Sequence, residues 1–204
     1  MVTIIDYGTG NLGSIQNMLK KIGCKSIITS NINEIENSEK LLLPGVGKFD
    51  FGMQQLIDRN ILEVLNKKVL IEKTPILGIC LGVQLFTQKS EEGLLPGLGW
   101  FNSETIKFKI DTNSNYKIPN MGWQNITKKK ESKLLSGLPA NARFYFVHSY
   151  HLKCNSPDDI LLEANYSYNY TCAIEKENIV GVQFHPEKSH KFGMKILQNF
   201  VELY

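Results

Sequence analysis

Pro75-Ile76-Leu77-Gly78-Ile79-Cys80-Leu81-Gly82 is the stretch that decides the fold. Five largely apolar residues run straight into a cysteine, and a helical pattern follows over 81–88. A short continuous apolar run bounded in this way reads as a strand buried on both faces. The segment therefore predicts a strand, a sharp turn and a helix. Gly78 and Gly82 flank Cys80 at a distance of two residues, which is the cysteine form of the G-x-S-x-G nucleophile elbow. The spacing has a steric cause. A nucleophile on so tight a turn takes a strained backbone, its second neighbours crowd the surrounding chain, and glycine removes the clash. A cysteine there also sits at a helix N-terminus, where unpaired N–H groups favour thiolate over thiol. The N–H of Leu81 would face an attacked carbonyl oxygen, as one half of an oxyanion hole. The competing reading of the motif alone is a buried structural cysteine between packing glycines.

Upstream, residues 2–7, 26–29 and 40–43 read as strands, the last stopped by Pro44-Gly45. Between them, 11–21 reads as a helix with Ile15, Met18, Leu19 and Ile22 on one face, and 49–73 carries helical periodicity. This alternation predicts an α/β fold: a mostly parallel central sheet with helices on both faces. After Gly93 the pattern changes. Segments 105–110, 123–127, 143–147, 160–163, 171–175 and 179–184 read as additional strands, and 193–203 as a closing helix. With no repeat or linker in view, the expectation is one domain over 1–204.

The 204 residues are 42% hydrophobic, with a formal net charge of +3. That is long enough for a sizeable core, and it lacks the concentrated basic face that nucleic acid demands. The run Lys128-Lys129-Lys130 reads as a solvated loop. Among Cys24, Cys80, Cys154 and Cys172 no pair has zinc-site or CxxC spacing, so neither a metal nor a cofactor is expected. No apolar stretch approaches the ~18 residues of a membrane span, and 1–6 lacks the basic start of a signal peptide. A cytoplasmic protein is expected. Gly8-Thr9-Gly10-Asn11-Leu12-Gly13 matches the dinucleotide fingerprint, but no acidic residue closes the second strand, which ends in Thr29-Ser30-Asn31. These glycines read instead as a tight strand-to-helix turn.

A reactive cysteine needs a base. Of the four histidines, His185 lies in Val182-Gln183-Phe184-His185-Pro186-Glu187, where an apolar strand runs into it and Pro186 stops the strand. If that strand is parallel to the one before Cys80, both side chains emerge at the same sheet edge, where ligands bind in such sheets. Glu187, two residues on, falls on the same side and can take the imidazole N–H. The competing reading is a lone surface histidine beside a solvated Glu-Lys pair.

Gly78-Ile79-Cys80-Leu81-Gly82, the loop Pro44-Gly45-Val46-Gly47 and Gln183-Phe184-His185-Pro186-Glu187-Lys188-Ser189 together resemble class I (triad) glutamine amidotransferases. Ile5-Asp6-Tyr7-Gly8 with Gly10-Asn11, Asn120-Met121-Gly122-Trp123 and Tyr145-Phe146-Val147-His148-Ser149-Tyr150 are similar to the glutaminase subunits of imidazole glycerol phosphate synthases. The resemblance spans 4–200. It implies a flavodoxin-like glutaminase fold and a catalytic triad of Cys80, His185 and Glu187. It further implies an oxyanion hole from Leu81 with Gly45 and Val46, the Val46 N–H turning inward after a peptide rotation. Glutamine would be held by Gln84, Glu92 and the backbone of Ser149 and Tyr150. A (β/α)8-barrel cyclase/synthase subunit would consume the ammonia, docked in part on Met121 and Trp123. The family segment around Trp123 more often begins with His or Gln and ends with Asn. Here Asn120 and Gln124 hold those places, which in this reading bears on partner choice and not on hydrolysis. Two alternatives stay open: a paralogous subunit feeding ammonia to surface-polysaccharide sugar amidation, and, of another class, a catalytically inactive regulatory module.

Overall fold

Val2–Ile5 forms a four-residue strand, β1, with every side chain buried. It can be buried throughout because helices cover both of its faces, and the one polar side chain, Thr3, is bonded by the Ser38 hydroxyl at 2.6 Å. The computed structural model describes residues 1–111 and 113–204. After β1 come α1 (Leu12–Lys21), β2 (Ser26–Thr29), α2 (Ile32–Glu36), β3 (Leu41–Gly45), α3 (Phe49–Asp58), α4 (Ile61–Asn66) with a wider helical turn over Lys67–Ile71, β4 (Ile76–Cys80) and α5 (Leu81–Leu85). The second half comprises β5 (Lys89–Ser90), β6 (Ser103–Lys107), β7 (Asn120–Lys128), β8 (Arg143–His148), β9 (Tyr150–Cys154), β10 (Ile160–Tyr166), β11 (Tyr168–Lys176), β12 (Ile179–Val182) and α6 (His190–Leu203).

The sheet runs β2-β1-β3-β4-β12-β11-β10-β7-β8. Its first five strands are parallel. From β11 onward the neighbours pair antiparallel, and β9 joins through β11 while pairing with β6. Strand alternation sorts the core into two layers. Ile4, Leu42, Leu77, Ile79 and Val182 pack with Ile15 and Leu19 of α1 and Ile196, Leu197 and Phe200 of α6. Ile5, Leu41, Leu43 and Ile76 pack with Met53 and Leu56 of α3 and with Ile61 and Leu65 of α4.

Local differences from the sequence reading have physical causes. Pro44 lies inside β3 instead of stopping it. The Leu41 N–H donates to Pro75 toward β4, so alternation turns position 44 toward β1. The pairing of β3 with β1 ends at Ile4↔Leu42, so no ladder bond is forfeited there. Helix α5 ends at Leu85, short of residue 88, because the loop after β5 claims its exit. Leu98 N–H bonds the Leu85 carbonyl, Gly97 N–H that of Gln88 and Gly99 N–H that of Thr87. The strand β9 carries His151 and Lys153 among its five residues, so it lacks an apolar run to announce it. It is extended because β6 pairs with it from Ser103↔Cys154 to Lys107↔Tyr150.

Candidate active site

Cys80 is the last residue of β4 and has φ 55° and ψ −109°. A side-chain-bearing residue in that region costs on the order of 1–3 kcal/mol and is tolerated where its surroundings force it. Here they do. A Cβ at Gly82 would lie 1.7 Å from the Leu43 carbonyl oxygen, and one at Gly78 would lie 2.6 Å from the Phe86 ring and 2.9 Å from the Val83 nitrogen. The elbow is thus wedged between β3 and α5 with no room for any other residue at either glycine. The helix behind Cys80 has only five residues. Its contribution to the sulfur comes from first-turn N–H groups, Leu81 included, which have no partner within the helix.

β12 lies beside β4 in parallel register, Val182 opposite Ile79. The chain then continues through Gln183 and Phe184 to His185, delivering it at the edge where Cys80 emerges. His185 Nδ1 lies 2.8 Å from Glu187 Oε1, and both side chains are 2% exposed. The backbone that carries the ring is fixed as well. The His185 N–H donates to the Tyr145 carbonyl at 3.0 Å, and its carbonyl accepts from the Ser189 hydroxyl at 2.7 Å. Burial opposes a charge on His185, but the Cys80 sulfur and the Glu187 carboxylate together raise its pKa from 6.5 to about 10. His185 Nε2 and Glu187 Oε2 are buried and make no hydrogen bond among the described residues.

A cavity of about 280 Å³, at the small end of ligand pockets, is lined by Val46, Cys80, Leu81, Gln84, Glu92, His148, Ser149 and Tyr150 among others. The expected glutamine-holding residues therefore meet around the sulfur. Gln84 Nε2 donates to the Tyr150 carbonyl at 3.2 Å and to Gln183 Oε1 at 3.0 Å. Glu92 Oε2 accepts from the Phe49 N–H at the start of α3, 2.9 Å away. Val46 lines the cavity, but its N–H donates to Thr9 Oγ1 at 3.1 Å, and its carbonyl accepts from the same hydroxyl. A rotation of the peptide is needed before that N–H can face the sulfur. Gly45, paired with Cys80 across β3 and β4, admits no side chain, since a Cβ there would fall 2.2 Å from the Tyr7 hydroxyl.

One expectation is corrected. Asn120 and Gln124, which read as bearing on partner choice and not on hydrolysis, are turned toward the cavity wall. Asn120 is fully buried and contacts His148 Nε2 at 3.0 Å, a lining residue of the cavity, while Gln124 bonds Asn120 and Tyr170. On β7 the outward positions are Met121, 60% exposed, and Trp123, 39% exposed. Gln183 was passed over: its Nε2 lies 3.7 Å from Cys80 Sγ. The available signal was an amide two residues before His185 in an otherwise apolar run. At the glycine-rich turn, Gly8 and Gly10 have φ of +85° and +104°, while a Cβ at Gly13 would meet nothing within 4 Å. The first two glycines serve the turn, and the third lacks the close packing that a dinucleotide fingerprint requires of it.

Residues 3–203 match the family model described as glutamine amidotransferase class-I. The chain is 52% identical, over 99% of its length and 99% of the relative's, to imidazole glycerol phosphate synthase subunit HisH 2 of Methanococcus maripaludis. It is 43% identical, over all of both chains, to subunit HisH 1 of the same organism. A solved structure described as a glutamine amidotransferase superposes with a TM-score of 0.73 at 16% identity, covering 100% of this chain and 98% of that one. It shares the fold. The protein belongs to the class-I glutamine amidotransferases.

Proposed function

We propose that this chain is the glutaminase subunit of an imidazole glycerol phosphate synthase, cleaving glutamine at Cys80 and passing ammonia to a (β/α)8-barrel cyclase subunit. The observation that carries the reading is the buried 2.8 Å pair of His185 and Glu187 at the sheet edge where the strained Cys80 emerges.

Cys80 attacks the side-chain amide carbon of glutamine. The oxygen of the tetrahedral intermediate is held by the Leu81 N–H and, after the peptide turns, by the Val46 N–H beside Gly45. His185 delivers its proton to the departing nitrogen, ammonia leaves, and a glutamyl thioester remains on Cys80. His185, now neutral, takes a proton from water, which attacks the thioester and releases glutamate. Glu187 holds the imidazole orientation and balances its charge. Gln84, Glu92 and the Ser149–Tyr150 backbone hold the α-amino and α-carboxylate groups of glutamine. Ammonia released into water at neutral pH becomes ammonium, which is not nucleophilic, so a consuming subunit belongs over the cavity mouth. Met121 and Trp123, apolar and exposed on β7, suit that contact. Glutamate release should be slow for the chain alone and rise with the barrel subunit and its substrate. Equal turnover in both conditions would overturn the partner assignment.

Rescue of a histidine-requiring strain lacking its own subunit tests the pathway; failure to rescue by a stably expressed chain would overturn it.

A further inference from the structure

His148 is not part of the triad, yet it is buried against the cavity and its ring makes a contact at each nitrogen. Nδ1 lies 2.7 Å from the Tyr150 carbonyl oxygen, and Nε2 lies 3.0 Å from Asn120 Nδ2. The first contact is meaningful only if Nδ1 carries the proton, because a carbonyl oxygen can only accept. The second then requires Asn120 to present its NH2 group to Nε2.

The hydrogen bonds around Asn120 run in the sense that this orientation requires. The other Nδ2 hydrogen donates to the Tyr170 hydroxyl at 3.2 Å. Tyr170 donates onward to Gln124 Oε1 at 3.0 Å, and Gln124 Nε2 returns to Asn120 Oδ1. The Tyr170 hydroxyl also lies 3.3 Å from His148 Nε2; with the rest of the loop held, reversing the Asn120 amide would set like against like at three contacts. Burial also keeps His148 neutral, with its pKa pushed down to about 3. The imidazole is therefore held in a single tautomer.

What the tautomer holds is the wall of the cavity. The Tyr150 carbonyl accepts from His148 and, at 3.2 Å, from Gln84 one turn beyond Cys80. This clamp fixes the backbone of Ser149 and Tyr150 relative to the nucleophile. We infer that Asn120 is a positioning residue of the glutamine site, setting the His148 tautomer and through it the Ser149–Tyr150 backbone that receives the α-carboxylate end of the substrate. The inference rests on the glutaminase reading and adds to it a residue from β7, the strand whose outer face carries Met121 and Trp123.

The test uses the full chain. Nitrogen chemical shifts of the His148 ring should show Nδ1 protonated and Nε2 bare in the wild type, with a mixture of the two tautomers in Asn120→Leu. Inactivation by a glutamine-shaped electrophile should slow about 10-fold in Asn120→Leu, while alkylation of Cys80 by iodoacetamide keeps its rate. The double swap Asn120→Gln with Gln124→Asn restores both amides and their combined volume, and should restore inactivation. If Asn120→Leu does not fold, Asn120→Ala replaces it with the same expected slowing. A wild type protonated at Nε2, or a variant inactivated as fast as wild type, overturns the relay. A wild type that ignores the glutamine-shaped electrophile overturns the glutaminase reading and the relay with it.

Discussion

The parallel half and the antiparallel half of the sheet build the same cavity by different means. On the parallel side, Cys80 is placed by its immediate neighbours: the strand that precedes it, the helix that follows, and two glycines forced by contacts under 3 Å with β3 and α5. On the antiparallel side, the wall at His148, Ser149 and Tyr150 is placed by residues far away in the chain. Asn120 is 28 positions from His148, and Gln84 is 66 from Tyr150. The nucleophile is held by steric exclusion and the substrate wall by directed hydrogen bonds. A change on the first side should cost stability or chemistry outright, and one on the second should weaken recognition while the sulfur stays reactive.

The largest effect is expected at Cys80→Ala, with glutamate release falling by about 10⁴-fold or more while the melting temperature is kept. Residual release within 100-fold of wild type would remove the nucleophile assignment. Next comes Glu187→Gln, which keeps the size of the partner that faces Nδ1 of His185 and removes its charge. A fall in kcat of about 10³-fold is expected, and a fall under tenfold would make Glu187 a structural residue only. Gly82→Ala tests the steric side. The overlap with the Leu43 carbonyl should destabilise the fold by roughly 3 kcal/mol, read by denaturant unfolding, and a loss under 1 kcal/mol would show that the elbow can relax.

Trp123→Ala on the outer face of β7 should weaken binding of the partner subunit by about 2 kcal/mol, as aromatic anchors do. Calorimetric titration reads this, and unchanged affinity would move the docking face elsewhere. The smallest effect is on pH dependence. His185 is raised from 6.5 to about 10 in the folded chain, so the stability from its charged form is complete below the unfolded value and is lost as pH rises through about 10. Cys80→Ala removes one of the two partners that raise it, so the alkaline loss of melting temperature should begin at lower pH in that variant. Identical alkaline limbs would deny the sulfur any part in the shift.

The same contrast explains what the sequence revealed. The elbow, the strand into His185 and the two-residue step to Glu187 are local patterns, and local patterns survive in one dimension. The turn at Gly8 and Gly10 was legible for the same reason. Pro44 misled because whether a missing N–H matters depends on which neighbour ends first, and the sequence does not show strand order. The strand β9 was missed because its partner β6 supplies the reason for its extension. Asn120 reads as bearing on partner choice because it shares a segment with Met121 and Trp123. Strand alternation turned it inward, and only the fold brings His148 beside it.

The most direct measurement is mass spectrometry of the acid-quenched protein during turnover of glutamine. A glutamyl adduct confined to the peptide bearing Cys80, and absent both from Cys80→Ala and from His185→Gln, which lacks the acid that expels ammonia, is the predicted result. Steady release of glutamate with no adduct on Cys80, or an adduct on Cys24, Cys154 or Cys172 instead, would contradict it.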